Sequence, residues 1–394
     1  MRSMTRPGWA LVTLSAALAI SARLLGLTEL YVLATIAVLA VLVAVILVSR
    51  PLPSIAVERV VRPRRVHLGD RCRVELRVTN QSRRPTPLLT LFDPVQGTSG
   101  ATMVLAPLDP EETRAAGYRL PTERRGIVAV GPLDAVRSDP LGLASRRHRI
   151  GAVVELTVLP AIESLGTWSP GGGFDDPMAG AARPTSGPSG DDEFSSLRPY
   201  VVGDDIRRIH WPSAARNDEL LVRQNDPPWQ GHLTVLLDAR EGHIGASEFE
   251  VAVSAAASVL HAVAERGDRT RLLITDGTDT GPTDARSARD VLLEHLAVVH
   301  RHRGADLPEP APDQRSATGD LLVLTGRVDH DEIARLSFLR HRFATTHVVA
   351  FQPGGTVAGV ERLAPVSGIE VVLVPIGTPL RVALGAIRSA ARQR

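Results

Sequence analysis

The run RPYVVGDDIRRIHWPSAARNDELLVR, Arg198 to Arg223, is the part of the sequence richest in side chains able to do chemistry. Arg198, Asp204, Asp205, Arg207, Arg208, His210, Arg216, Asp218, Glu219 and Arg223 surround the apolar Tyr200, Ile206, Ile209 and Trp211. Two carboxylates beside a histidine can serve a hydrolase, with Asp204 and Asp205 as metal ligands or acid and base and His210 as proton shuttle. The spacing opposes that use. Gly203 permits a tight turn and Asp204 suits a helix N-cap, so the two acids leave the helix start about 100° apart. No further histidine or acid follows at ligand spacing. Arg207, Arg208, Arg216 and Arg223 can instead pair the acids bidentately and stack on Trp211 or Tyr200. The first reading is therefore an arginine–aspartate network that docks the segment on its neighbours; partner binding comes second and catalysis third.

Other chemistries lack their residues. The chain contains no lysine, which removes Schiff bases and the phosphate-binding lysine of a P-loop. Cys72 is the single cysteine, so neither a disulfide nor a thiolate zinc site can form within the chain. Gly171 to Pro177 reads GGGFDDP, but no helix or Lys/Ser/Thr phosphate ligand follows it, and Gly166 to Ser189 reads as a flexible linker. A net charge of +2 argues against a nucleic-acid binder. No cofactor is expected.

The elements that must position these residues fall into three textures. Leu30–Val48 is uncharged and close to the roughly 20 residues that span a bilayer. Trp9–Ala22 is apolar too and reaches Leu27 if Arg23 snorkels, with Thr28-Glu29 as the connection. Arg2 and Arg6 precede this hairpin and Arg50, Arg59, Arg62, Arg64 and Arg65 follow it, which places both ends and the soluble body in the cytoplasm. A cleaved leader in place of the first helix would leave the body on the same side. From Ile55 to Ile162 the pattern has period two, as in Val74, Leu76 and Val78 against Arg73, Glu75 and Arg77. Short strands with Gly and Pro between them predict an Ig-like β-sandwich, with Cys72 a buried strand residue. After Gly231, apolar runs at Leu233–Leu237, Arg271–Thr275, Leu321–Thr325, His347–Phe351 and Val371–Pro375 alternate with helical segments. This predicts a parallel, doubly wound α/β sheet covered on both faces. No G-x-G-x-x-G follows the first strand, so a dinucleotide site is unsupported.

Tyr200, Gly203-Asp204-Asp205, Arg207, Ile209-His210-Trp211 and Ala215-Arg216 resemble the signature of a bacterial membrane-protein family called domain of unknown function 58 (DUF58). Arg124-Arg125-Gly126 and Asp139-Pro140-Leu141-Gly142-Leu143 resemble its pattern further upstream. The resemblance implies a von Willebrand A-like domain after the signature. Metal-binding A domains carry Asp-x-Ser-x-Ser at the end of the first strand. Here Asp238 fits while Arg240 and Gly242 stand at the serine positions, so the metal site is degenerate, with Thr325 and Asp276 as possible later ligands and Arg240 able to replace the cation's charge. Asp238, Arg240, Asp276 and Arg327 are expected to cluster at a binding face. The expected layout is a membrane anchor at 1–50, an Ig-like sandwich at 51–165, a linker at 166–197, the signature at 198–230 and the A-like domain at 231–394. The resemblance implies a non-enzymatic adaptor in the bilayer, working with a MoxR-type AAA+ ATPase and a transglutaminase-like membrane protein in envelope-associated assembly or maturation. A hydrolase using Asp204, Asp205 and His210, or a metal-dependent adhesion module, are the alternatives.

Overall fold

The computed structural model describes residues 4–166, 196–199, 221–224, 232–304, 319–339, 343, 345–354, 359–366 and 369–391. The chain divides into two compact units, Met1–Leu159 and Pro160–Arg394.

The first unit opens with helices α1 (Arg6–Leu25) and α2 (Thr28–Ser49). Both are long and apolar enough to cross a membrane. Buried Gly8, Ser15 and Ala22 on α1 and Ala34, Val41 and Val48 on α2 recur every seventh residue, so each helix covers one seam, with Gly8 set against the Leu143 carbonyl, where a Cβ would stand 2.1 Å from the oxygen. Within that seam the Ser15 hydroxyl donates to the Ala34 carbonyl at 2.9 Å. Leu33, Ile36, Leu39, Val43 and Ile46 face outward, as a lipid environment favours. The connection is as short as expected but lies two residues earlier, at Gly26-Leu27. Gly26 closes α1 with φ of 71°, a left-handed conformation that costs glycine little, and Thr28 and Glu29 already belong to α2.

Ten strands follow: β1 (Ile55–Arg62), β2 (Arg65–His67), β3 (Cys72–Asn80), β4 (Leu89–Asp93), β5 (Ala101–Leu105), β6 (Thr113–Leu120), β7 (Gly126–Val130), β8 (Leu133–Ser138), β9 (Ser145–Ile150) and β10 (Val154–Leu159). They pair as β1-β3-β6, β2-β10-β7 and β5-β4-β8-β9, with β2 and β10 parallel and the other pairs antiparallel. β3 shows why the alternation mattered. Cys72, Val74, Leu76 and Val78 are buried in one core with Leu89, Leu91, Leu133, Leu156 and Val158, while Arg73 and Arg77 point to solvent.

In the second unit β11 (Ser196–Pro199) pairs antiparallel with β12 (Leu221–Gln224). The remaining strands, β13 (His232–Leu237), β14 (Arg269–Ile274), β15 (Thr283–Asp284), β16 (Asp320–Thr325), β17 (Thr345–Gln352), β18 (Glu361–Arg362) and β19 (Glu370–Pro375), form one sheet in the order β15-β14-β13-β16-β17-β19-β18. The five central strands are parallel, as their buried apolar runs predict. The sheet is nonetheless mixed. β15 and β18 are antiparallel edge strands of two residues each, too short to leave a periodic signal. The helices among the described residues are α3 (Ala246–Arg266), α4 (Ala285–Val298), α5 (His330–Leu339) and α6 (Leu380–Ala391). α3 also meets the length and hydropathy of a membrane span, but Ala252, Val253, Ala256, Val259, Leu260 and Val263 are buried in this unit.

Candidate functional site

β14 and β16 flank β13 on opposite sides, so the winding direction reverses at β13. In open α/β sheets the crevice at such a reversal, beyond the strands' carboxyl ends, is where chemistry gathers. Asp238 follows β13 there, and its amide donates to Leu324 of β16 at 2.9 Å. Thr325 ends β16 beside it, and Glu332 reaches the same point from the first turn of α5. Asp329, just before α5, orients that turn by accepting the Glu332 amide at 2.8 Å, and this bond holds the Asp329 carboxyl below its ordinary value.

Arg240 occupies the centre. Its side chain is 0% exposed, and Asp238 is 1% exposed. The guanidinium grips Asp238 bidentately, with Nε donating to Oδ1 and Nη2 to Oδ2 at 2.9 Å each. Nη2 also donates to Glu332 Oε1. The Arg240 amide donates to Asp238 Oδ1 at 3.1 Å, and the Thr325 hydroxyl to Oδ2 at 2.8 Å. Asp238 thus accepts four hydrogen bonds, about the capacity of a carboxylate. Burial alone would raise its carboxyl, yet the Arg240 and Thr325 bonds hold it below the ordinary value. Burial likewise disfavours the Arg240 charge, but the two carboxylates raise its affinity for the proton well above that of a free guanidinium.

Asp238, His243 and Glu332 bring ligand-type atoms within 4.8 Å of one another, a donor set that would ordinarily invite a cation. They do not fit one here. The positive charge between Asp238 and Glu332 is the Arg240 guanidinium, and both Asp238 oxygens are committed. His243 Nδ1 approaches Glu332 Oε2 at 3.7 Å without hydrogen-bonding it. Gly326 makes this approach of loops possible, because a Cβ there would stand 2.8 Å from the His243 carbonyl. On the far side of β13 the Thr275 hydroxyl accepts the Ala239 amide at 2.8 Å and lies 3.1 Å from His302 Nε2. The arrangement can fix three loops at the sheet end, and it leaves no open coordination position on Asp238.

Several expected site residues fall elsewhere. Gly242 lies in an exposed turn and adds no side chain. Asp276 is exposed and accepts the Thr278 amide at 2.8 Å, one residue beyond the inward-facing Thr275. Arg327 is exposed, so the expected surface cluster of Asp238, Arg240, Asp276 and Arg327 does not form: its first two members are buried. The sequence reading missed Glu332 and His243. The pattern Asp329-x-x-Glu332 before an apolar run is a helix-start signal that could have marked Glu332. Of the signature, Arg198 sits in β11 opposite Val222, and Arg223 in β12 opposite Leu197. Tyr200, Gly203, Asp204, Asp205, Arg207, His210, Trp211 and Arg216 lie outside the described residues.

A curated relative, the uncharacterized protein YeaD of Bacillus subtilis, is 27% identical over 147 residues, and the match spans 35% of each chain. Among solved structures, a CARDB domain from Pyrococcus furiosus aligns at 16% identity over 28% of this chain and 96% of its own, with a TM-score of 0.21. A β-glucosidase from Erythrobacter marinus aligns at 18% identity over 25% of this chain and 15% of its own, with a TM-score of 0.17. Scores this low carry no argument about fold or chemistry. One match is to a family model: residues 196–351, from β11 through most of β17, fit the family described as "Protein of unknown function DUF58", and over that stretch the chain is similar to its members.

Proposed function

We propose that this protein is a membrane-anchored, non-enzymatic adaptor that presents a metal-independent von Willebrand A-like domain to a MoxR-type AAA+ ATPase. The observation that carries the reading is the saturation of Asp238 by Arg240 and Thr325. A carboxylate at the end of the central first strand supports the A-like assignment. The buried guanidinium supports a site kept permanently in its ordered state, where an adhesion module would need a cation. An Ig-like reading of β1 to β10 gives the second module a spacer's role. With Asp238 and Arg240 turned inward, the docking surface falls to the exposed loops around them, including Asp276 and Arg327. Charged loops of this kind suit a protein partner better than a small apolar ligand. A transglutaminase-like membrane protein is the second partner in this reading.

Pull-down of the detergent-solubilised full chain with the MoxR-type ATPase, with and without nucleotide, is the direct test. Association in at least one nucleotide state is the expected result. No association in either state, together with capture of a different protein from membranes, ends the proposal.

The ATPase requires the soluble units to be cytoplasmic. The arginines after Val48 support that side, since the hairpin tip has only Arg23 near it. A reporter active only outside the membrane, fused after Arg394, is expected to stay silent. Strong reporter activity would reverse the topology and remove the ATPase as a partner.

A further inference from the structure

The two polar ends of the helical hairpin meet the β-rich part of the first unit at one place. Thr5, just before α1, donates its amide to Leu143 O at 3.0 Å and its hydroxyl to Gly142 O at 2.6 Å. At the other end Arg146 Nη1 donates to Ser49 O at 3.0 Å, at the close of α2. Val41, Ala44 and Val48 share a buried cluster with Leu143 and Ala144. The turn at Asp139–Ala144 and the start of β9 are therefore held at the level where the helices leave the bilayer. Trp9 (59% exposed) and Leu141 (69% exposed) lie at that level, as an amphipathic ring and an apolar tip do at a membrane interface.

Positive charge is crowded there with no acid paired to it among the described residues. Arg137 of β8 lies directly opposite Arg146 of β9 in the ladder, and like charges so placed repel. Burial and then the nearby Arg50 make Arg137 easier to deprotonate than a free guanidinium. Burial, then Arg146 and Arg137, lower His148, whose buried Nε2 has no hydrogen-bond partner. The nearest acid in sequence, Asp139, is committed to the Leu141 and Ala144 amides at 2.9 and 2.6 Å. Arg147 and Arg149 lean toward Asp134 on the other face of the strand, at 3.6 and 3.5 Å. None of Arg50, Arg137 and Arg146 is ion-paired among the described residues.

We propose that Arg50, Arg137 and Arg146 form a binding site for the phosphate headgroup of an anionic phospholipid at the base of the helical hairpin. A phosphate offers the planar guanidinium groups paired acceptors and removes the repulsion between them. The position selects a lipid over a free anion, because the site stands where α2 ends and headgroups begin. The proposal rests on α1 and α2 spanning the bilayer.

The test places the full chain in phosphatidylcholine nanodiscs with and without phosphatidylglycerol and counts retained lipid by native mass spectrometry. The unaltered chain is expected to enrich phosphatidylglycerol and to melt at a higher temperature when it is present. Arg50→Gln with Arg137→Gln leaves the Arg146 contact to Ser49 in place and is expected to weaken the preference roughly 30-fold, from about one unit of surface attraction per arginine. Its melting temperature in pure phosphatidylcholine should be no lower, since a repulsion has been removed. If the double variant is unstable, Arg50→Gln at its exposed position reads the same loss at roughly fivefold. Equal retention of both lipids by the unaltered chain, or an undiminished preference in the variants, overturns the site. Equal stabilisation by inorganic phosphate overturns the lipid as its ligand. Failure of the chain to enter either nanodisc overturns the spanning helices, and the site with them.

Discussion

Arg240→Ala is expected to destabilise the α/β unit by about 3–5 kcal/mol, because it strands Asp238 and Glu332 in the interior without their cation. Volume is not the main issue, so Arg240→Met, which keeps the packing, should be nearly as damaging. Adding Asp238→Asn should recover part of the loss by removing one of the stranded charges. The pH dependence carries a sign. In the parent chain the folded Asp238 carboxyl is held low, so its contribution is present above the unfolded value, about 3.9, and lost only as pH falls through the folded value. Without Arg240, burial acts unopposed and pushes the carboxyl up. The variant's deficit should then be largest at neutral pH and shrink toward pH about 4. Amide hydrogen exchange of peptides covering β13 and β16 in the full chain reads this locally, which suits a chain of two units better than one melting curve. Mg²⁺ is expected to leave the parent's exchange unchanged. A deficit that is small and flat with pH would show that the arginine only fills space.

Much of the scaffold was legible because its signals are repetitive. The apolar run of α2, the alternation along β3 and the unbroken apolar strands β13 and β16 each state a period over several residues. What escaped was set by single residues and by tertiary direction. β15 and β18 are two residues long and take their place from the neighbour they pair with. β9 reads SRRHRI, and nothing in its charges says which face carries Arg146 and which Arg147. The site shows the same limit. Strand-end Asp238 and the replacement of the first serine by Arg240 could be read, as could a guanidinium standing in for the missing cation's charge. The closing acid, Glu332, lies 92 positions away on a helix start and meets Arg240 only because β16 packs beside β13. Asp276 was the wrong partner by one residue: the strand end turns Thr275 inward and leaves Asp276 to solvent.

A second buried charge network, in the β-rich part of the first unit, should be as sensitive as the first. Asp93 at the end of β4 accepts Arg59 of β1 through Nε and Nη2 at 3.2 and 2.5 Å, and the Tyr118 hydroxyl of β6 at 2.6 Å. Arg59 also donates to the Ala152 carbonyl at 2.6 Å. Its side chain is 4% exposed and that of Asp93 is 0% exposed. Asp93→Ala therefore leaves a buried guanidinium with one carbonyl for company, and a loss of about 3–5 kcal/mol is expected. Tyr118→Phe removes a single charge-assisted hydrogen bond and should cost less, about 1.5–3 kcal/mol. The two variants also part with pH. Burial, and then the bond to Asp93, raise the Tyr118 hydroxyl far above its ordinary value. A raised group stabilises fully below its unfolded value and loses that contribution as pH climbs past it, here about 10. The parent should thus lose protection in β3 and β6 above pH about 10, an alkaline loss that Tyr118→Phe largely lacks. Equal costs for the two substitutions would mean that the hydroxyl, and not compensation of the Arg59 charge, is what holds β1, β4 and β6 together.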